Sequence, residues 1–112
     1  MPILYADYST INHEEMAHSI GLKPIHVPLI LSSFLDETKM LLGKLKESVS
    51  INDCINIKLN AHAIKGSASN LKFDEISQMA REMEQAGANK RCDFEYNAYI
   101  DAITKSLDTI LI

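Results

Sequence analysis

The sequence predicts an all-α protein, an antiparallel four-helix bundle preceded by a short N-terminal helical arm. Three observations predict it. Apolar residues recur at spacings of three and four along four segments, the signature of one buried helix face. No segment alternates with period two convincingly enough to read as a strand, and no internal repeat is visible. Four glycines and three prolines in 112 residues leave little material for the turns an all-β chain needs. The expected division is an arm with a short helix over residues 1–21 and the bundle over residues 22–112.

Each element has its own punctuation. Asn12 followed by Glu15 forms a capping-box pattern that opens a short helix over HEEMAHSI, closed by Gly21. The next segment runs from about Pro28 to Val49, with Leu31, Phe34, Leu35, Leu41, Leu42, Leu45 and Val49 facing inward. Pro24 and Pro28 lie near its start, and Pro28 suits the first helical turn, where its missing N–H would be unpaired anyway. Ser50 and Asp53 signal the start of a third helix. Along it Cys54, Ile57, Ala61, Ile64, Ala68 and Leu71 recur at alternating spacings of three and four, a seam suited to a bundle interior. Phe73-Asp74-Glu75 opens a fourth helix, with Ile76, Met79, Ala80, Met83 and Ala86 inward and Gly87 as its stop. Asp93 is the expected cap of the last, which buries Tyr96, Tyr99, Ile100, Ile103, Leu107 and Ile110. The methionines read as core filler, and Tyr96 and Tyr99 as packing residues with a wet hydroxyl edge.

Composition excludes several classes. An apolar share of 46% with 23% charged residues belongs to a soluble globular chain. A net charge of -4 argues against a nucleic-acid partner, whose footprint would be a basic face. No apolar run reaches the ~18 residues of a membrane span, and no basic-then-apolar leader opens the sequence. Cys54 and Cys92 form no CxxC or Cys/His cluster and read as two reduced thiols in a cytoplasmic protein. The finish Thr109-Ile110-Leu111-Ile112 fits a domain end, of a standalone protein or of a fragment of a larger one.

The stretch AHAIKGSASNL, from Ala61 to Leu71, raises the functional question. A glycine in a helix interior costs about 1 kcal/mol relative to alanine. With Ile57, Ala61, Ile64 and Ala68 turned inward, Lys58, His62, Lys65, Gly66 and Ser69 form a stripe about 100° round the helix. His62 then stands at the border of core and solvent. Gly66, one turn later, leaves the ring open to a large partner and lets the helix backbone be approached closely. Lys65 offers a flexible cation to any anion placed on the ring. Neutral imidazole is a nucleophile, and its bond to phosphate is labile enough for the group to be passed on. From Ser50 to Lys72 three lysines face one acid, Asp53, a local balance that favours an acidic partner.

This segment closely resembles the signature of histidine-containing phosphotransfer (HPt) domains, approximately AH-x-LKG-S-x-x-x-L. The resemblance extends from about Gly21 to the end and includes Ile76…Met79-Ala80…Met83-Glu84, similar to that family's L-x-x-lc-x-x-lE. It implies a phosphorelay carrier of two-component signalling rather than an enzyme with its own ATP site. By it, His62 is phosphorylated, accepting the group from and passing it to the aspartate of a response-regulator receiver domain. Lys65 would steady the phosphoryl group and Gly66 would give the receiver access; Lys58 and Ser69, from their place on the same helical stripe, are the candidate partner contacts. A sensor or hybrid histidine kinase is a further candidate partner. The resemblance also implies no cofactor of the chain's own, Mg²⁺ arriving with the receiver. The sequence has no GxxxxGK[ST] phosphate loop. It departs from the family after Leu71, where a small Gly-Ala pair is usual and Lys72-Phe73 stands here. Asn70 or Lys72 must then adopt the left-handed conformation that ends the helix.

Three rival readings have weaker support. HEEMAH resembles the zinc motif HExxH, but His13 and His18 lie five apart, about 140° round a helix, and cannot face one metal. A di-metal bundle site needs Glu-x-x-His pairs; none occurs, and Glu14, Glu15, Glu47, Glu82 and Glu84 fall on outward or border positions. His26, between two prolines, reads as a surface residue. The remaining alternative is a helical protein-docking module without phosphotransfer. The sequence names no kinase, regulator or stimulus.

Overall fold

Asn12 begins the first helix with its side chain. Its Oδ1 accepts from the N–H groups of Glu14 and Glu15 at 2.8 and 3.2 Å, capping α1 (His13–Ile20). The computed structural model describes residues 4–112; Met1 lies outside the described residues. Gly21, at φ +74°, ends α1 in the left-handed region. A single 3₁₀ turn, Pro24–His26, leads into α2 (Val27–Ser50), with Pro28 in its first turn. Leu31, Phe34, Leu41, Leu42 and Leu45 are buried as the periodicity predicts, whereas Leu35 and Val49 are half-buried against the core's edge.

Ser50 does not start the third helix. It closes α2, its hydroxyl donating to the Glu47 carbonyl at 2.7 Å. Asp53 alone caps α3 (Cys54–Asn70), accepting from the Asn56 N–H. Ile57, Ala61, Ile64 and Ala68 form the buried seam, and Cys54 and Leu71 are half-buried at its ends. Lys72, not Asn70, takes the left-handed conformation, at φ +64°. The Phe73 N–H then reaches back to the Ala68 carbonyl at 2.9 Å. Phe73 is buried, its ring 5.1 Å from that of Phe34.

Two expected boundaries move. Gly87 does not stop the fourth helix; it lies inside α4 (Asp74–Ala88), buried against α3. A Cβ there would stand 3.0 Å from Ile57 Cγ2, 3.1 Å from the Lys58 nitrogen and 3.2 Å from the Cys54 oxygen. Glycine at this position permits the close approach of two helices, and the turn is made further on by Lys90 at φ +55°. Asp93 does not cap the last helix either. Its carboxylate is held by the Arg91 guanidinium at 3.2 and 3.3 Å, and α5 (Tyr96–Asp108) starts after Glu95 with no side-chain cap. The Tyr96 hydroxyl donates to the Arg91 carbonyl at 2.8 Å. Met16, Met79 and Met83 are core residues, but Met40 is exposed on α2 and is not core filler.

The described residues thus form five α-helices and no strand. α2 and α4 each pack against α3 and α5. Contacts between α2 and α3 run in opposite senses, Glu37 meeting Ser67 while Lys44 and Asn60 border one cleft. The same holds for α3 and α4: Ser77 donates to the Lys65 carbonyl, Glu84 meets His62, and Gly87 meets Ile57. The arm shares this core through Ala6, Tyr8, Met16 and Ala17.

Candidate functional site

The α3–α4 register sets the site. Because the buried seam of α3 faces away from it, His62 emerges on the open side, its side chain 64% exposed. Three residues on, Lys65 lies on the same side and leans toward α4. The pattern that buries Met83 brings the next residue, Glu84, to the edge of the α3–α4 contact, where its side chain is only 15% exposed. There it meets both α3 side chains. His62 Nδ1 lies 2.5 Å from Glu84 Oε2, and Lys65 Nζ donates to Oε1 at 2.7 Å.

Burial is the largest single influence on the Glu84 carboxyl and would raise its pKa. The hydrogen bonds from Lys65 and His62, with their charges, outweigh it and hold the group below the usual carboxylate range. An ionised carboxylate only accepts, so the hydrogen in the His62 contact resides on Nδ1. In the neutral ring the lone pair is then on Nε2, the nitrogen away from Glu84.

Gly66 is exposed, and a Cβ there would meet nothing within 4 Å. Internal packing therefore does not require this glycine. Gly43 in α2 is equally open, so openness alone assigns no role; Gly66 differs in lying one helical turn from an exposed imidazole. Lys58 and Ser69 are exposed, and Ser69 borders the same α3–α4 groove as Lys65 and Gly66. All five residues singled out in the sequence are thus on the open side of α3. Glu84 was missed as a partner. Its only signal was the glutamate closing the Met83-Glu84 pattern, and its contact depends on a register that one helix's sequence does not contain.

The other candidates fall elsewhere. His13 Nε2 lies 3.2 Å from the Leu111 carbonyl, while His18 and His26 are exposed. Among the described residues no three His, Cys, Asp or Glu side chains gather as a metal site. Both cysteines are free, and among the described residues no helix is long and apolar enough to cross a membrane.

Searches of curated proteins and of solved structures each found no match to the chain. A family model described as the Hpt domain matches residues 29–110, a span that takes in His62, Lys65, Gly66 and Glu84 and most of the length from α2 to α5. With a helical bundle, an exposed histidine on its third helix and a match over well over half its length, this chain belongs to the Hpt domain family, whose role is histidine phosphotransfer in two-component signalling.

Proposed function

We propose that the chain is a phosphorelay carrier in which His62 accepts a phosphoryl group from the aspartate of a receiver domain and returns or forwards it to another. The observation that carries this reading is the exposed His62 ring, tethered at Nδ1 and open at Nε2. In the loading step Nε2 attacks the phosphorus of the aspartyl phosphate. A P–N bond forms as the P–O bond to the receiver's carboxylate breaks, and the carboxylate leaves with the electron pair. The ring becomes cationic as it bonds, and the Glu84 carboxylate on Nδ1–H stabilises that charge. In the reverse direction a receiver carboxylate attacks the phosphorus, a P–O bond forms as the P–N bond breaks, and the P–N bonding pair returns to Nε2. Lys65 offsets the charge of Glu84 and lies within reach of the incoming phosphoryl oxygens. Gly66 leaves the approach clear.

The partner's footing is supported by two aliphatic side chains on the same open arc of α3. Ile55 and Leu59, two turns and one turn before His62, are 71% and 57% exposed. Exposed aliphatics beside a reactive group suit the centre of a protein interface. Lys58 and Ser69 would lie at its rim. Mg²⁺ and the carboxylates that hold it belong to the receiver, and a sensor or hybrid histidine kinase would load the pathway upstream.

The test is transfer from a phosphorylated receiver to the purified chain, read as acid-labile phosphate on wild type and on His62→Gln. Label is expected on the wild type and absent from the variant. Equal labelling would reject His62 as the carrier, and no labelling of either would favour a docking module without phosphotransfer.

A further inference from the structure

Beside the Gly66 clearing runs a groove between α3 and α4 of about 600 Å³, bordered on the α3 wall by Lys65, Gly66 and Ser69 and on the α4 wall by Asp74, Ser77 and Arg81. Its two cations differ. Lys65 is committed to Glu84 at 2.7 Å, in a contact that is largely enclosed. Arg81 is exposed and forms no ion pair among the described residues. The α3–α4 register sets Arg81 level with the stretch from His62 to Lys65, since Ser77 meets Lys65 and Glu84 meets His62. Helical side chains lean toward their own N-terminus, which directs Arg81 along the groove it shares with Gly66. Asp74 stands two turns further toward the start of α4, so the groove is basic level with Lys65 and Gly66, one turn from His62, and acidic beyond.

We propose that Arg81 is a specificity-determining residue for docking, engaging a carboxylate at the rim of the receiver's phosphoaspartate pocket. This rests on the carrier reading of His62. A protein surface that presents an aspartyl phosphate to His62 is anionic by its own chemistry, carrying the phosphoryl group and the carboxylates that hold its metal. The chain as a whole has a net charge of -4, which repels such a surface at long range. Productive encounter then needs a local positive patch at the docking point. Lys58 is also exposed, but it lies one turn before His62, away from the groove that Gly66 opens. Arg81 stands on that groove, and its planar guanidinium matches a carboxylate with two parallel hydrogen bonds. Arg81 acts on encounter and orientation, not on the phosphorus.

The experiment compares wild type, Arg81→Glu and Arg81→Lys in transfer from a receiver phosphorylated with acetyl phosphate, chosen as the fastest donor in a panel. Rates are followed against receiver concentration at low and high salt. For Arg81→Glu the second-order rate is expected to fall about tenfold at low salt and to approach wild type at high salt. The saturated transfer rate should stay unchanged, and Arg81→Lys should retain most of the salt dependence. Helical circular dichroism reports folding. An Arg81→Glu chain that is fully helical and transfers at the wild-type second-order rate at low salt overturns the proposal. So does a variant that loses only the saturated rate. Failure of every receiver to label wild type rejects the carrier reading beneath it, a result distinct from either.

Discussion

At the scale of single residues, Glu84 decides how His62 behaves. Its carboxylate fixes the hydrogen on Nδ1 and directs the lone pair of the neutral ring outward, and it does so from a different helix. Because its folded pKa is depressed below 4.5, the ionised group stabilises the fold above that value, and this contribution is lost as pH falls through the folded value. Replacing Glu84 by Gln removes the charge but keeps an acceptor. Thermal melts from pH 6 downward should therefore show a shallower acid-side decline in Tm for Glu84→Gln than for wild type. The same variant should lower the saturated phosphotransfer rate by about tenfold, as loss of a charged orienting partner commonly does. Parallel acid limbs would mean the contact contributes nothing to folding. An unchanged saturated rate would mean His62 needs no orienting.

At the scale of elements, α3 and α4 carry two glycines with opposite meanings. Gly66 faces open space, so Ala there should stabilise the chain by about 0.5–1 kcal/mol in urea unfolding, while Leu should slow receiver-dependent labelling with helicity intact. At Gly87 a methyl group would press on the backbone of α3, which cannot yield as a side-chain tip can. Gly87→Ala should lose about 1–3 kcal/mol. If Gly66→Ala destabilised instead, the glycine would serve packing and not access. The two also mark what the sequence made legible. The seam from Ile57 to Ala68 was readable because burial imposes a period that local sequence records. The role of Gly87 was not, because a glycine near a helix end suggests a stop until the neighbouring helix is in place. Asp93 misled for a related reason: a cap residue was recognised, but Arg91 two residues away competes for its carboxylate. For the site, the α3 side was legible from His62, Lys65 and Gly66, while Glu84 and Arg81 depend on an inter-helix register.

At the scale of the whole molecule, the arm is the part whose destination the sequence withheld. Asn12 and Gly21 announced its helix, but nothing announced that Tyr8 would cross to the turn between α3 and α4. There its ring packs edge-on against Phe73 at 4.6 Å, its hydroxyl donates to Glu75 at 3.0 Å, and its backbone N–H donates to Thr109 Oγ1 at 2.8 Å. Burial, reinforced by Glu75, raises the phenol's pKa well above its usual 10.0 and keeps the donor protonated. Tyr8 thus ties the arm to the start of α4, where the Phe73 ring offers a surface to cover, and to Thr109, just past α5. Tyr8→Phe should cost about 1 kcal/mol through the lost hydrogen bond, and Tyr8→Ala about 2–4 kcal/mol through lost burial. The Tyr8 contact near Ile76 lies eight residues from Glu84, about 12 Å along α4. Stability and transfer should therefore separate. Well below its lowered Tm, Tyr8→Ala should be labelled on His62 at the wild-type rate. A slower rate in a fully helical Tyr8→Ala chain would show that the arm is coupled to the α3–α4 site and does more than cover the core.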